Sequence, residues 1–300
     1  MRKTISTAWF QLKKTVFGEP APKVAVIRLE GVIASGGGRF RSNLNLASVA
    51  DQIEQAFTMQ GVKAVALLVN SPGGSPVQSA MITDRIRAYA DEKDIPVLAF
   101  AEDVAASGGY MISLAADEIY VNEASLVGSI GVISSGFGFQ EAIKKIGVER
   151  RVYTAGESKS MLDSFADEKE EDIARLREIQ DEIHEFFKSM VRKRRGKRLK
   201  GLRGKIFSGD VFTGNEAIKL GLVDGVGDVR SVMRDRFGDK VVLKVVGEKK
   251  SKFGALLGLK SGQISIDEIV TANRLGKVED LPAGLISAVE ERMWWNRFGL

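Results

Sequence analysis

Ser107 lies in the small-residue run Ala105–Tyr110 and is followed directly by two glycines. A serine in such a run can be exposed as a nucleophile, and the N–H of the next residue can hold the oxyanion that forms on a carbonyl. Serine needs a base to remove its proton, and the chain's single histidine, His184, lies far along in a charged helical pattern. Lysine is therefore the next candidate base, because Ser-Lys pairs are a known variant of the catalytic triad.

The run that contains Ser107 is one of two glycine-rich loops. The other, Asn70–Ser75, is the first glycine loop along the chain and contains Gly73 and Gly74 directly after a proline. Consecutive glycines allow a tight turn whose N–H groups point into a cleft, so this loop could form one wall of an oxyanion hole. An ordinary structural role stays open for both loops, because a serine at the start of a helix is usually an N-cap. Since each loop follows a predicted buried strand of one sheet, the two loops could face the same cleft.

Lys159 stands between two serines in the run Ala155–Ser160, which follows a segment with the pattern of a strand, Val148–Tyr153. The usual role of a lysine is a solvated surface charge. A lysine with its ordinary pKa of about 10.4 is protonated at neutral pH, so a lysine base requires a dry site that disfavours the ammonium form. Glu157, two residues before Lys159, would oppose this loss of the ammonium form, because a nearby carboxylate stabilises the positive charge of the lysine. We therefore expect the Glu157 side chain to point away from Lys159.

The elements that would position these residues alternate between strands and helices. Apolar runs predict strands over Val24–Leu29, Lys63–Val69, Pro96–Ala101, Glu118–Val121 and Lys240–Val246, and helical spacing predicts helices over Leu46–Met59, Val77–Asp91, Ser107–Ala116 and Asp167–Arg198. This alternation predicts an α/β domain with a largely parallel sheet. Such sheets bind ligands at the carboxyl ends of their strands, which is where both glycine loops lie.

Five stretches of the sequence resemble the signal peptide peptidase A and SohB family of serine peptidases. They are VNSPGGSPVQS (69–79), EDVAASGGYMISLAADEIYVN (102–122), VGSIGVI (127–133), TAGESKSMLDSF (154–165) and FSGDVFTGNEAIKLGLVDGVGD (207–228), in the family's order. The resemblance implies an α/β, ClpP/crotonase-like fold with repeated strand-strand-helix units, to which this chain adds a long charged helix and peripheral terminal segments.

The resemblance also implies roles for individual residues. Ser107 matches the family's nucleophile and Lys159 its general base. Ser129 matches the serine that orients the lysine ammonium, and the backbone N–H groups of Gly74 and Gly108 match the oxyanion hole. The family implies a serine endopeptidase that works through an acyl-enzyme without a metal, nucleotide or organic cofactor. It further implies ring-like homo-oligomers and substrates such as signal peptides or other unfolded, membrane-derived peptides.

Two other functions stay open on the sequence. A crotonase-like acyl-CoA enzyme would share the paired oxyanion N–H groups but would not need Lys159 within reach of Ser107. A non-catalytic, membrane-associated scaffold would keep the fold and lose the geometry of the dyad. A histidine-based triad is disfavoured because His184 is not at a family-like position, and the absence of cysteine excludes disulfides, thiolate zinc sites and a cysteine nucleophile.

Residues 23–247 are the predicted peptidase domain, between an amphipathic N-terminal arm (1–22) and a C-terminal extension (248–300). Three features suggest peripheral contact with a membrane: the arm, the basic stretch Lys188–Lys205 and the aromatic C-terminus. Solvated or protein-packed segments are the alternative, and nucleic acid is an unlikely partner. We find no apolar run of the roughly 20 residues that cross a bilayer and no secretory signal. We therefore expect a cytoplasmic protein, with the inner face of the cell membrane as its site of peripheral contact.

Overall fold

A computed structural model describes residues 20–36, 43–156, 158–201 and 203–247, together with positions 293, 295, 296 and 298. The predicted arm and C-terminal extension lie almost entirely outside these residues, so the boundaries at 22 and 247 stay predictions. Glu157 also lies outside the described residues. Within the described part of the chain, no helix is both long enough and apolar enough to cross a membrane.

Strands and helices alternate along most of the chain. The strands are β1 (Lys23–Glu30), β2 (Val62–Ser71), β3 (Val97–Ala106), β4 (Glu118–Val121), β5 (Leu126–Gly128), β6 (Val211–Thr213), β7 (Gly225–Val226) and β8 (Val242–Val245). The helices are α1 (Leu46–Thr58), α2 (Pro76–Lys93), α3 (Gly108–Ser113), α4 (Gln140–Lys145), α5 (Glu170–Arg195), α6 (Arg203–Ile206), α7 (Gly214–Leu220) and α8 (Val229–Phe237). The predicted α/β class and the long charged helix, α5, are confirmed.

The strands form one eight-stranded sheet in the order β6-β5-β3-β2-β1-β8, with β4 beside β3 and β7 beside β4. The pairing of β5 with β6 is antiparallel, and the other described pairs are parallel. Both faces of the central strands are buried. Along β1, Ala25, Ile27 and Leu29 enter the larger apolar core, and Val24 and Val26 enter a smaller core on the other face. Burial on two faces explains why these strands are continuous apolar runs in the sequence.

Two long strands bring the functional segments to one edge of the sheet. β2 and β3 are parallel neighbours, so their carboxyl ends lie together, with Ser71 paired to Ala105. The first half of β3 pairs with β4 and the second half pairs with β5, which brings Gly128 beside Ala106. The loops that follow β2, β3 and β5 therefore meet at the same place.

Arginines in the basic stretch Lys188–Lys205 tie the end of α5 to the rest of the fold. The Arg195 side chain is 2% exposed and donates to both carboxylate oxygens of Asp224, at 2.7 and 3.0 Å. Arg194 donates to the carbonyl of Leu114 at 2.7 Å. Part of the positive charge in this stretch is therefore bound within the protein and is not available to an anionic partner.

The ion pair between Arg195 and Asp224 predicts pH-dependent stability. Burial would raise the pKa of Asp224, but hydrogen bonds from Arg195 and from the Ile119 N–H outweigh it and lower that pKa. A carboxyl group with a lowered pKa stabilises the fold above its unfolded pKa of about 3.9, and this stabilisation is lost as the pH falls through the folded pKa. We expect Asp224→Asn to lower the free energy of unfolding by about 3 kcal/mol at neutral pH, because it leaves a buried guanidinium without its counterion.

The loss in the free energy of unfolding is measured by denaturant unfolding of wild type and Asp224→Asn. The measurement is made at neutral pH and again below about pH 4. The difference between the two proteins should shrink at the lower pH. Asp239→Asn is the control, because that side chain is 94% exposed and should contribute little. A difference for Asp224→Asn that is independent of pH would contradict the prediction.

Candidate active site

Ser107 occupies the sharp turn between β3 and α3. Its φ of +51° is unusual for a residue with a Cβ, and strained backbone of this kind is concentrated at functional sites. Its N–H donates to the carbonyl of Gly128 at 2.8 Å, and its carbonyl accepts from the N–H of Met111 at 2.9 Å. The side chain makes no capping hydrogen bond to α3. Ser107 thus holds the N-cap position of α3, but its hydroxyl does not cap the helix and makes no hydrogen bond to any described residue.

The two glycine loops touch beside the Ser107 side chain. A Cβ built on Gly73 would lie 2.8 Å from the Cβ of Ser107 and 2.9 Å from the N atom of Gly108. A Cβ built on Gly108 would lie 2.4 Å from the Ser79 Oγ and 3.4 Å from the N atom of Gly74. Such distances leave no room for a side chain, so glycine is required at both positions. The two loops that the sequence placed after neighbouring strands thus share one cleft.

The backbone N–H groups of Gly74 and Gly108, which lie beside Ser107, have no acceptor among the described residues. The neighbouring groups of the first loop are paired. The Ile33 N–H donates to the Gly73 carbonyl at 2.8 Å, and the Ser75 N–H donates to the Ile33 carbonyl at 2.7 Å. Unpaired donors that point at the position of a developing oxyanion are the main electrostatic requirement of acyl transfer.

Ser129 lies in the loop that follows β5, directly after the glycine whose carbonyl binds the Ser107 N–H. It is buried, has a φ of +50°, and donates its N–H to the Asp210 carbonyl at 2.7 Å. The next carbonyl, that of Ile130, lies 2.9 Å from Nε2 of His184 on α5. His184 therefore has a structural role, because it holds the loop that carries Ser129. Nothing in the sequence around His184 indicated this contact.

Lys159 is exposed, and its side chain makes no hydrogen bond or ion pair with any described residue. The strand predicted before it, Val148–Tyr153, is wrong: the segment is irregular, and the Tyr153 side chain is 89% exposed. A strand must pair its backbone N–H and C=O groups, and the described part of one chain offers this segment no partner. The structure therefore brings together Ser107, the two glycine loops and the end of β5 that leads into Ser129. It gives the Lys159 side chain no hydrogen bond to any of them.

The model of the peptidase family described as "Peptidase family S49" matches residues 89–240. A putative protease of Synechocystis is 31% identical, over 86% of this chain and 90% of that protein. A protein of Brucella abortus named Na(+)/H(+) antiporter NhaA is 49% identical over 93% of this chain, which spans 37% of that protein's length. A solved variant of the 1510-N membrane-bound stomatin-specific protease, bound to a substrate peptide, is 15% identical. The superposition of the two structures has a TM-score of 0.47 and covers 80% of this chain and 100% of the other.

Proposed function

Because this chain belongs to peptidase family S49, we propose that it hydrolyses peptide bonds with Ser107 as the nucleophile and Lys159 as the general base. The observation that carries the proposal is the strained turn at Ser107, with a free hydroxyl beside the unpaired N–H groups of Gly74 and Gly108. Nucleophile and oxyanion donors are then already in place before a substrate binds, which is the preorganisation that acyl transfer uses.

The proposed reaction has two steps. The neutral Lys159 amine takes the proton of the Ser107 hydroxyl while Oγ attacks the substrate carbonyl carbon, and the N–H groups of Gly74 and Gly108 hold the oxyanion. The lysine ammonium then gives its proton to the leaving amine, and an acyl-enzyme remains on Oγ. Water then attacks the ester carbonyl while the same lysine takes its proton, and the ammonium returns a proton to Oγ as the C–Oγ bond breaks and the acid is released. The hydroxyl of Ser129 would accept a hydrogen bond from the ammonium and so orient it.

This mechanism needs Lys159 in a dry environment, because an ammonium in water keeps its proton at neutral pH. The chain segment that contains the lysine, described over residues 131–156 and 158–166, exposes eight large apolar side chains. Its exposed large apolar side chains are Ile133, Phe137, Phe139, Ile146, Val148, Val152, Tyr153 and Phe165. Exposed apolar surface of this extent is typical of a protein interface.

We therefore propose that the protein is a homo-oligomer in which this segment packs on a second copy of the chain. The neighbouring copy would cover the apolar side chains and exclude water from the lysine. In this arrangement the Lys159 of one copy serves the Ser107 of its neighbour, which agrees with the exposed Lys159 side chain having no hydrogen bond within the described part of one chain.

For the substrate we propose signal-peptide-like or other unfolded, membrane-derived peptides, on the resemblance to signal peptide peptidases. The test compares an apolar peptide of signal-peptide length with a polar peptide of the same length, each incubated with purified wild type. We expect the apolar peptide to be cleaved at least several-fold faster in kcat/KM, with product masses that identify the cleaved bonds. Equal cleavage of both peptides would refute the substrate class, and no cleavage of either by the assembled protein would refute peptidase activity.

A further inference from the structure

Ser71, the last residue of β2, lies in the first glycine loop where it packs on the second, and it has no role in the mechanism above. It is fully buried, and its hydroxyl donates to the Gly31 carbonyl at 2.7 Å and accepts from the Gly73 N–H at 3.2 Å. Its own carbonyl would be 2.5 Å from a Cβ built on Gly109 in the first turn of α3. Ser71 therefore contacts three backbone segments that surround the nucleophile.

Of the two glycine N–H groups in the first glycine loop, the Ser71 hydroxyl binds one, and the other stays unpaired. The Gly73 N–H is taken by Ser71, and the Gly73 carbonyl is taken by the N–H of Ile33. The Gly74 N–H is left without an acceptor among the residues described. A Cβ built on Gly73 would collide with the Cβ of Ser107, so Gly73 lies against the nucleophile. A change in the backbone dihedral angles of Gly73 would therefore move the Gly74 N–H relative to the reacting carbonyl.

We propose that Ser71 is a positioning residue of the oxyanion hole. By holding the Gly73 N–H, which lies in the peptide unit before the one that carries the Gly74 N–H, it fixes the turn so that the Gly74 N–H is directed at the substrate carbonyl oxygen. The inference rests on the proposed function. Ser71 itself would touch no substrate atom. Without its hydroxyl, the buried Gly73 N–H loses its acceptor, and a buried unpaired donor is costly enough for the turn to rearrange. The rearrangement would displace the neighbouring Gly74 donor.

The test is the effect of Ser71→Ala on peptide cleavage. Complete removal of one oxyanion donor lowers kcat about 10²–10³-fold, and a displaced donor should have a smaller effect. We expect kcat to fall about 10- to 100-fold and KM to change less than about twofold, because the donor acts on the transition state. A peptide boronate, which forms a tetrahedral adduct on serine, should bind Ser71→Ala more weakly by a similar factor.

Ser125→Ala is the matched control. Ser125 is also buried, and its hydroxyl likewise donates to a carbonyl, that of Glu102 at 2.5 Å, and accepts from an N–H, that of Asn122 at 3.0 Å. It lies between β4 and β5, outside the two glycine loops. Its substitution should lower the unfolding midpoint by a similar amount and leave kcat and boronate affinity near those of wild type.

A folded Ser71→Ala with wild-type kcat and boronate affinity would overturn the inference, and so would equal losses of kcat in Ser71→Ala and Ser125→Ala. If Ser71→Ala does not fold, Ser71→Cys replaces it. The thiol fills the site but hydrogen-bonds weakly, so kcat should still fall several-fold, and a folded Ser71→Cys with wild-type kcat would overturn the inference. Failure of the proposed function is separate, because it would appear as cleavage that does not depend on Ser107.

Discussion

Ser107→Ala is expected to lower kcat/KM for peptide cleavage by about 10⁴-fold or more. The hydroxyl oxygen of Ser107 is the atom that would bond to the acyl group, so its removal eliminates the covalent route. Only the substrate-binding surface and the oxyanion donors of Gly74 and Gly108 would remain to assist direct attack by water. A continuous assay with the best-cleaved peptide, on assembled protein, measures the loss.

The substitution should spare the fold and the binding of peptide, which makes the loss interpretable. The Ser107 hydroxyl makes no capping bond, and alanine keeps the Cβ that contacts the first glycine loop. Ser113→Ala is the control, since that buried hydroxyl on the same helix donates to the Gly109 carbonyl at 3.0 Å and has no proposed catalytic role. We expect Ser113→Ala to stay active and Ser107→Ala to bind peptide without cleaving it. Cleavage by Ser107→Ala at the rate of wild type would exclude this serine as the nucleophile.

The sequence predicted the central strands well for a physical reason. β1, β2 and β3 are buried on both faces, so they are unbroken apolar runs, and their predicted bounds differ from those observed mainly in how far β2 and β3 extend toward their loops. Contact between the two glycine loops also follows from sequence, because successive parallel strands are often neighbours and end at the same edge. The part of the site on β2 and β3 could thus be predicted.

The rest depends on contacts that local sequence does not contain. The apolar pattern of Val148–Tyr153 is that of a strand, but pairing requires a partner, and the pattern does not show whether one exists. Gly128, the residue before Ser129, binds the Ser107 N–H because β3 is long enough to pair with β4 and β5 in turn. Ser71 precedes a predicted helix, as many capping serines do. Its proposed role in positioning the Gly74 N–H rests instead on the hydrogen bonds of its hydroxyl to Gly31 and Gly73, which only the tertiary structure supplies.

Lys159→Met is expected to abolish cleavage to about the same extent as Ser107→Ala, because a nucleophile and its base act as a unit and the loss of either disables both. Methionine keeps most of the length of the side chain and removes only its amine. Lys145→Met is the control, since Lys145 is an exposed lysine of the same apolar surface segment. The activity of each purified variant is measured with the same peptide and compared with wild type.

Mixed oligomers of the two inactive variants then test whether the dyad forms within one chain or between two copies of it. If the Lys159 of one copy serves the Ser107 of its neighbour, subunits of Ser107→Ala and Lys159→Met that are dissociated and reassembled together regain activity. Random mixing of equal amounts would pair an intact serine with an intact lysine at about a quarter of the sites in a symmetric ring. A dyad within one chain would regain none, because every chain in the mixture lacks one member. Absence of activity in verified mixed oligomers would therefore refute the shared site, while a Lys159→Met variant as active as wild type would refute lysine as the base.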